Sequence, residues 1–250
     1  MRGWRILVPG PDGAPLAALL AERGASPLMV PMIEIRPLDA GGELDRAAGT
    51  LGDYDWVVVT SVRGARALFE RRRALGLGTV PAGPRWAAVG PATRAALEAE
   101  GVPVSAVSSA GTGAGIAREL GPLGGSRVLL PRARIAAPDL PAALAGRGAR
   151  VDDVAAYDTV VGPESSRAPL AAALAEGIHA ATFTSASTVE GFARLAGEPR
   201  AALSGVVTVC IGPPTARALR QLGVEPSGVA ARRTPEALIE VLEELVHARA

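Results

Sequence analysis

The chain has 250 residues, 48% of them apolar, and a formal net charge of +1, a length that suits two small α/β domains or one large one, with ample apolar material for buried cores and too little basic excess for a general nucleic-acid or membrane-surface protein. All 26 basic residues are arginine, which excludes a P-loop lysine and a lysine Schiff base, and the single cysteine excludes an internal disulfide and a cysteine-rich metal site. No apolar run approaches ~18 residues and the start leads straight into a strand, so neither a membrane span nor a signal peptide is expected, and the expected location is cytoplasmic.

Strand and helix patterns alternate along the whole chain, which predicts an α/β fold with parallel sheets. Residues 6–8 read as a strand and 14–23 as a helix stopped by Gly24. An extended stretch follows at 28–38. Then come a strand at 56–59, a helix at 62–75, a strand at 86–89, a helix at 91–100 stopped by Gly101, a strand at 104–107 and a helix at 114–120. The second half reads as strand 128–130, helix 140–147, extended stretch 151–161, strand 180–184, helix 188–195, strand 206–211, helix 215–222, strand 229–230 and helix 235–248. Cys210 lies inside an apolar strand and is expected to be an inert buried thiol. His179 and His247 fit no triad or metal pattern, and Arg71-Arg72-Arg73 reads as a solvated helix end. Gly111-Thr112-Gly113-Ala114-Gly115-Ile116 puts isoleucine where a dinucleotide fingerprint needs its third glycine, so it reads as a helix start.

The chain is also written twice. Arg5-Ile6-Leu7-Val8-Pro9 returns as Arg127-Val128-Leu129-Leu130-Pro131, Thr60-Ser61 as Thr184-Ser185, and Val89-Gly90-Pro91-Ala92-Thr93 as Ile211-Gly212-Pro213-Pro214-Thr215, in the same order. Each motif sits where an apolar run stops and a helical pattern starts. At such junctions parallel α/β proteins present main-chain N–H groups and the positive end of a helix dipole to anions. Thr60, Ser61, Thr93, Ser185, Ser187 and Thr215 are therefore expected as helix caps that, with Gly90, Gly212 and Pro213, also line an anion site. The two extended stretches occupy equivalent places in the repeat, and eleven extended residues reach about 36 Å. They predict two crossover strands, one lobe of residues 1–36 and 160–250, a second lobe of residues 37–159, and a central cleft with a hinge.

Taken in order, Asp55-Trp56-Val57-Val58-Val59-Thr60-Ser61, Ala88-Val89-Gly90-Pro91-Ala92-Thr93, Arg127-Val128-Leu129-Leu130-Pro131-Arg132, Gly148-Ala149 with Tyr157-Asp158-Thr159, Phe183-Thr184-Ser185-Ala186-Ser187 and Cys210-Ile211-Gly212-Pro213-Pro214-Thr215-Ala216 resemble uroporphyrinogen-III synthases over essentially the whole chain. The resemblance implies two similar doubly wound, flavodoxin-like lobes joined by a two-stranded linker. It implies cofactor-free cyclisation of hydroxymethylbilane, a linear tetrapyrrole polycarboxylate, with loss of water and inversion of the last ring, by a monomer that needs no metal, nucleic acid or membrane. Tyr157 matches the tyrosine favoured as proton donor to the departing hydroxyl. Arg63 matches a frequent arginine after the Thr-Ser pair, suited to bind a propionate bidentately, and Arg132 and Arg134 stand at another strand end. The other tyrosine, Tyr54, reads as packing. Val8-Pro9-Gly10-Pro11 departs from the Thr-Arg-Pro common in the family, and Pro214 replaces a frequent threonine. The runner-up reading is a non-catalytic regulatory module that binds an anionic small molecule.

Overall fold

The computed structural model describes residues 1–11 and 13–248. In chain order it contains β1 (Arg5–Val8), α1 (Ala14–Glu22), β2 (Ser26–Met29), β3 (Ile33–Pro37), α2 (Glu43–Gly49), β4 (Trp56–Val59), α3 (Val62–Ala74), β5 (Arg85–Ala88), α4 (Pro91–Ala99), β6 (Val104–Val107), α5 (Gly113–Glu119), β7 (Arg127–Ala133), α6 (Asp139–Ala145) and β8 (Arg150–Val161). Then follow α7 (Arg167–Ala175), β9 (Ala180–Phe183), α8 (Ala186–Ala196), the single turn α9 (Pro199–Ala202), β10 (Val207–Cys210), α10 (Pro213–Gln221), β11 (Gly228–Val229) and α11 (Pro235–His247).

The chain forms two compact units, Met1–Ile35 with Val160–Ala250, and Arg36–Thr159. The first holds a five-stranded sheet in the order β11-β10-β9-β1-β2, and every neighbouring pair is parallel. The second sheet runs β6-β5-β4-β7-β8-β3, with β4, β5, β6, β7 and β8 mutually parallel. The central strands β4, β9 and β10 are buried at every position. A parallel strand covered by helices on both faces needs such unbroken burial, met by mostly apolar residues rather than by alternation, and Thr182 and Thr208 are the buried polar members of β9 and β10.

Each sheet has a point where the winding reverses. In the first unit the chain moves outward from β1 to β2 on one side and from β9 through β10 to β11 on the other. In the second it moves from β4 to β6 on one side and from β7 to β8 on the other. The gaps beyond the carboxyl ends of β1 and β9, and of β7 and β4, are where open α/β sheets take ligands.

Two expectations need correction. The stretch 28–38 is not one strand: β2 ends at Met29, Val30 and Met32 are buried between strands, and β3 starts at Ile33. Pro31 lies at the break, where a missing N–H removes a ladder bond. The equivalent stretch at β8 is continuous over 12 residues. Arg72 is not solvated; it is 6% exposed and donates to the carbonyls of Ala48, Gly78 and Thr79. These groups are left unbonded by a helix end and a loop, and the guanidinium satisfies them.

Cys210 is fully buried, and burial pushes its thiol up to about 11. Tyr54, just before β4, is buried beside the Arg127 guanidinium, and its hydroxyl donates to Asp152 at 2.8 Å. Among the described residues no helix is long and apolar enough to cross a membrane.

Candidate active site

In the second unit the gap is built on the loop that joins β4 to α3. Ser61 caps α3 with its side chain: Gly64 N–H donates to Ser61 Oγ at 3.1 Å. The helix start presses directly on β7, because a Cβ added to Gly64 would lie 2.5 Å from the Pro131 carbonyl oxygen. Only glycine lets the two backbones approach this closely. Thr60 and Ser61 are half-buried there, and Arg63 follows within the first turn of α3, also half-buried.

Tyr157 approaches the same place from β8, with β7 between the two strands. Arg132 pairs with Ala155, but Ala133 pairs with Tyr157, leaving Ala156 as an extra residue in β8. A bulge of this kind bends the strand and re-aims the following side chain. The result is a tyrosine only 8% exposed whose Oη lies 3.4 Å from Ser61 Oγ. The structure therefore brings Ser61 and Tyr157 together.

Other residues named from the sequence take different roles. Arg132 is 6% exposed; its Nε and Nη2 each donate to Asp153 at 2.5 Å, and its Nη1 to the Ala137 carbonyl at 2.6 Å. Its donors are committed to its own chain, where they tie the end of β7 to β8. Arg134 is exposed and pairs with Asp158 at 2.6 Å, beside an open depression of about 440 Å³ that also involves Pro37, Asp39 and Ala155. Gly90 caps α4 without a side chain, with Pro91 at the helix start, and Thr93 is buried. What α4 offers an anion is main-chain N–H, from Ala92 and Thr93.

In the first unit, Ser185 caps α8 through a reciprocal box with Thr188, and Ser185 Oγ lies 2.9 Å from Ser187 Oγ. Gly212 caps α10, Pro213 and Pro214 fill its first two positions, and Thr215 is buried. Two prolines remove two of the N–H groups that a helix start normally turns outward. Arg233 lies against this point: a Cβ on Gly212 would meet its Nε at 3.3 Å. Arg233 is exposed and makes no ion pair or hydrogen bond among the described residues. Reading the sequence alone missed it, although the double proline at a presumed anion-binding helix start was a visible signal.

Neither histidine belongs to these edges. His179 precedes β9, accepts the Arg5 N–H at 3.0 Å through Nδ1 and packs on Trp4; His247 Nδ1 lies 2.6 Å from the Glu243 carbonyl. Among the described residues no group of His, Cys, Asp and Glu is placed to hold a metal ion.

Comparison with known proteins gives a consistent picture. The family model described as uroporphyrinogen-III synthase HemD matches residues 14–240. A "Porphyrin biosynthesis protein HemD" of Ruminiclostridium josui is 30% identical over 97% of this chain, and the chain spans about half (49%) of that protein's length. A uroporphyrinogen-III synthase of Synechococcus elongatus is 27% identical over 84% of this chain and 83% of its own. Among solved structures, a mutant uroporphyrinogen III synthase of Thermus thermophilus superimposes with a TM-score of 0.74 at 26% identity, over 98% of this chain and 100% of that one.

Proposed function

The chain belongs to the uroporphyrinogen-III synthase family, hydro-lyases of porphyrin biosynthesis, and from that premise we propose that it cyclises hydroxymethylbilane with Tyr157 as the acid. The substrate carries an acetate and a propionate on each of its pyrroles. Tyr157 gives its proton to the terminal hydroxyl, the C–O bond breaks, water leaves, and the pyrrole nitrogen lone pair stabilises the resulting azafulvenium cation beside the phenolate. The last pyrrole attacks this centre through its already substituted carbon. The spiro intermediate fragments and recloses with that ring inverted, and the proton shed as the ring regains aromaticity returns to Tyr157. The net change is closure of the macrocycle and loss of one water.

In water the same substrate closes without inversion. The protein's main task is thus to hold one conformer, for which orientation supplies several kcal/mol, with acid assistance added to it. The reading rests on one observation: a buried tyrosine, aimed by a bulge, stands at the carboxyl edge of the second sheet beside a helix start. In the second unit the main chain at the start of α4 and Arg63 are suited to hold substrate carboxylates; in the first unit, taken by itself, Ser185, Ser187 and Arg233 are suited to the same task, the guanidinium standing in for the N–H groups that Pro213 and Pro214 lack.

The test is to incubate purified protein with freshly made hydroxymethylbilane and resolve the oxidised isomers by chromatography. Isomer III is expected, and Tyr157→Phe is expected to slow its formation about a hundredfold with unchanged thermal stability. Isomer I alone, at the spontaneous rate, would instead make the protein a non-catalytic anion-binding module. An undiminished Tyr157→Phe rate would remove Tyr157 from the chemistry.

A further inference from the structure

An acid that must protonate a leaving hydroxyl has two needs that its own side chain does not meet. Its proton has to point at the substrate rather than at a neighbour, and the negative charge left on its oxygen needs a donor. Tyr157 sits on β8 and Ser61 follows β4, and β7 lies between them, so the two hydroxyls meet only across the end of β7. That meeting is enforced by the contact of Gly64 with the Pro131 carbonyl, which presses the start of α3 onto β7. Gly64 N–H occupies a lone pair of Ser61 Oγ at 3.1 Å. The Ser61 proton remains to be given away, and Tyr157 Oη, 3.4 Å distant, is the hydroxyl that faces it.

We infer that Ser61 is a positioning residue that donates its hydroxyl proton to the phenol oxygen of Tyr157, so that the phenol proton is left for the substrate. The assignment rests on Tyr157 being the acid. Accepting an N–H from a helix start polarises the serine and makes it a better donor. The 3.4 Å separation is that of a resting site; such bonds shorten as charge develops on the acceptor. Ser61 therefore does more than end a helix: its cap geometry is what fixes the direction of the hydroxyl.

The experiment is a set of isomer III rates at varied substrate concentration for the wild type, Tyr157→Phe, Ser61→Ala, Ser61→Thr and the double variant Ser61→Ala/Tyr157→Phe. Ser61→Ala is expected to lower kcat about tenfold with KM unchanged, and Ser61→Thr to restore the rate. The double variant is expected to be no slower than Tyr157→Phe alone. Should Ser61→Ala not fold, Ser61→Asp replaces it, since an aspartate still accepts the Gly64 N–H but has no proton to give. The inference is overturned if the serine change slows the Tyr157→Phe enzyme as much as the wild type, or if it raises KM alone, which would make Ser61 a substrate contact. A Tyr157→Phe enzyme at full rate is a separate outcome, and it removes the acid itself.

Discussion

Arg233 stands at the positive end of a helix dipole, where a cation is disfavoured by about 0.3–1 kcal/mol, and no described residue pairs with it. Replacing it with alanine should therefore leave stability to denaturant unchanged or slightly raised, while the substrate loses a charged partner and KM rises about tenfold. Chemical denaturation and initial rates on the same preparation check both halves. A loss of stability with KM intact would make Arg233 a structural residue. Tyr54 gives a second residue-scale test. Burial, then the hydrogen bond to Asp152, then that carboxylate's charge push its hydroxyl from 10.0 up to about 12. Between those values the unfolded chain has lost the proton that the folded chain keeps, so stability falls as pH rises through that window and is fully present below it. Denaturant midpoints measured across pH ~9 to ~12 should show a decline that Tyr54→Phe flattens. The sequence made the tyrosines visible as a pair of unlike roles. It gave no sign of the Asp152 partner, which lies on another strand, or of the bulge that turns Tyr157, because both depend on strand register.

Elements were readable wherever one-dimensional pattern carries the physics. The mostly apolar runs of β4, β9 and β10 and the serine caps of α3 and α8 came straight from the chain. α2 and α7 were not seen: α2 carries Gly42 and Gly49 at its limits, and α7 is rich in alanine, with only Leu170 and Ala173 buried. Nor does sequence reveal where two elements touch. Gly191, in the middle of α8, lies so close to the stretch between β2 and β3 that an added Cβ would overlap the Met32 carbonyl. Elsewhere, alanine in place of a mid-helix glycine stabilises a helix by about 1 kcal/mol. Here the obstacle is backbone, which has no rotamer to change, so Gly191→Ala is expected to cost about 3 kcal/mol in urea unfolding. An alanine variant as stable as the wild type would mean that α8 and residues 30–32 separate without penalty.

The repeat seen in the sequence does not coincide with the compact units. The first copy supplies β1 and β2 to one sheet and β4, β5 and β6 to the other; the second copy supplies β7 and β8 to the latter and β9, β10 and β11 to the former. The first unit thus takes two strands from the first copy and three from the second, and the second unit takes β3 to β6 from the first copy and β7 and β8 from the second, as in an exchange of segments between duplicated halves. This is why the chain must pass from one sheet to the other at equivalent places in both copies, after β2 and along β8. It also follows that neither half of the chain contains a complete sheet. Cleavage between Gly124 and Gly125, both exposed in the connection from α5 to β7, would separate the copies and divide both sheets. Fragments 1–124 and 125–250, expressed apart, should each lack a cooperative unfolding transition, since the cut divides the neighbouring pairs β1–β9, β4–β7 and β3–β8 and leaves each fragment with part of both sheets. Expressed together, they should co-purify one to one and recover the circular dichroism and isomer III activity of the intact chain. The exchange makes the prediction strict, because a half that folds by itself as a monomer would need its strands to close a sheet in an order that the intact protein never uses.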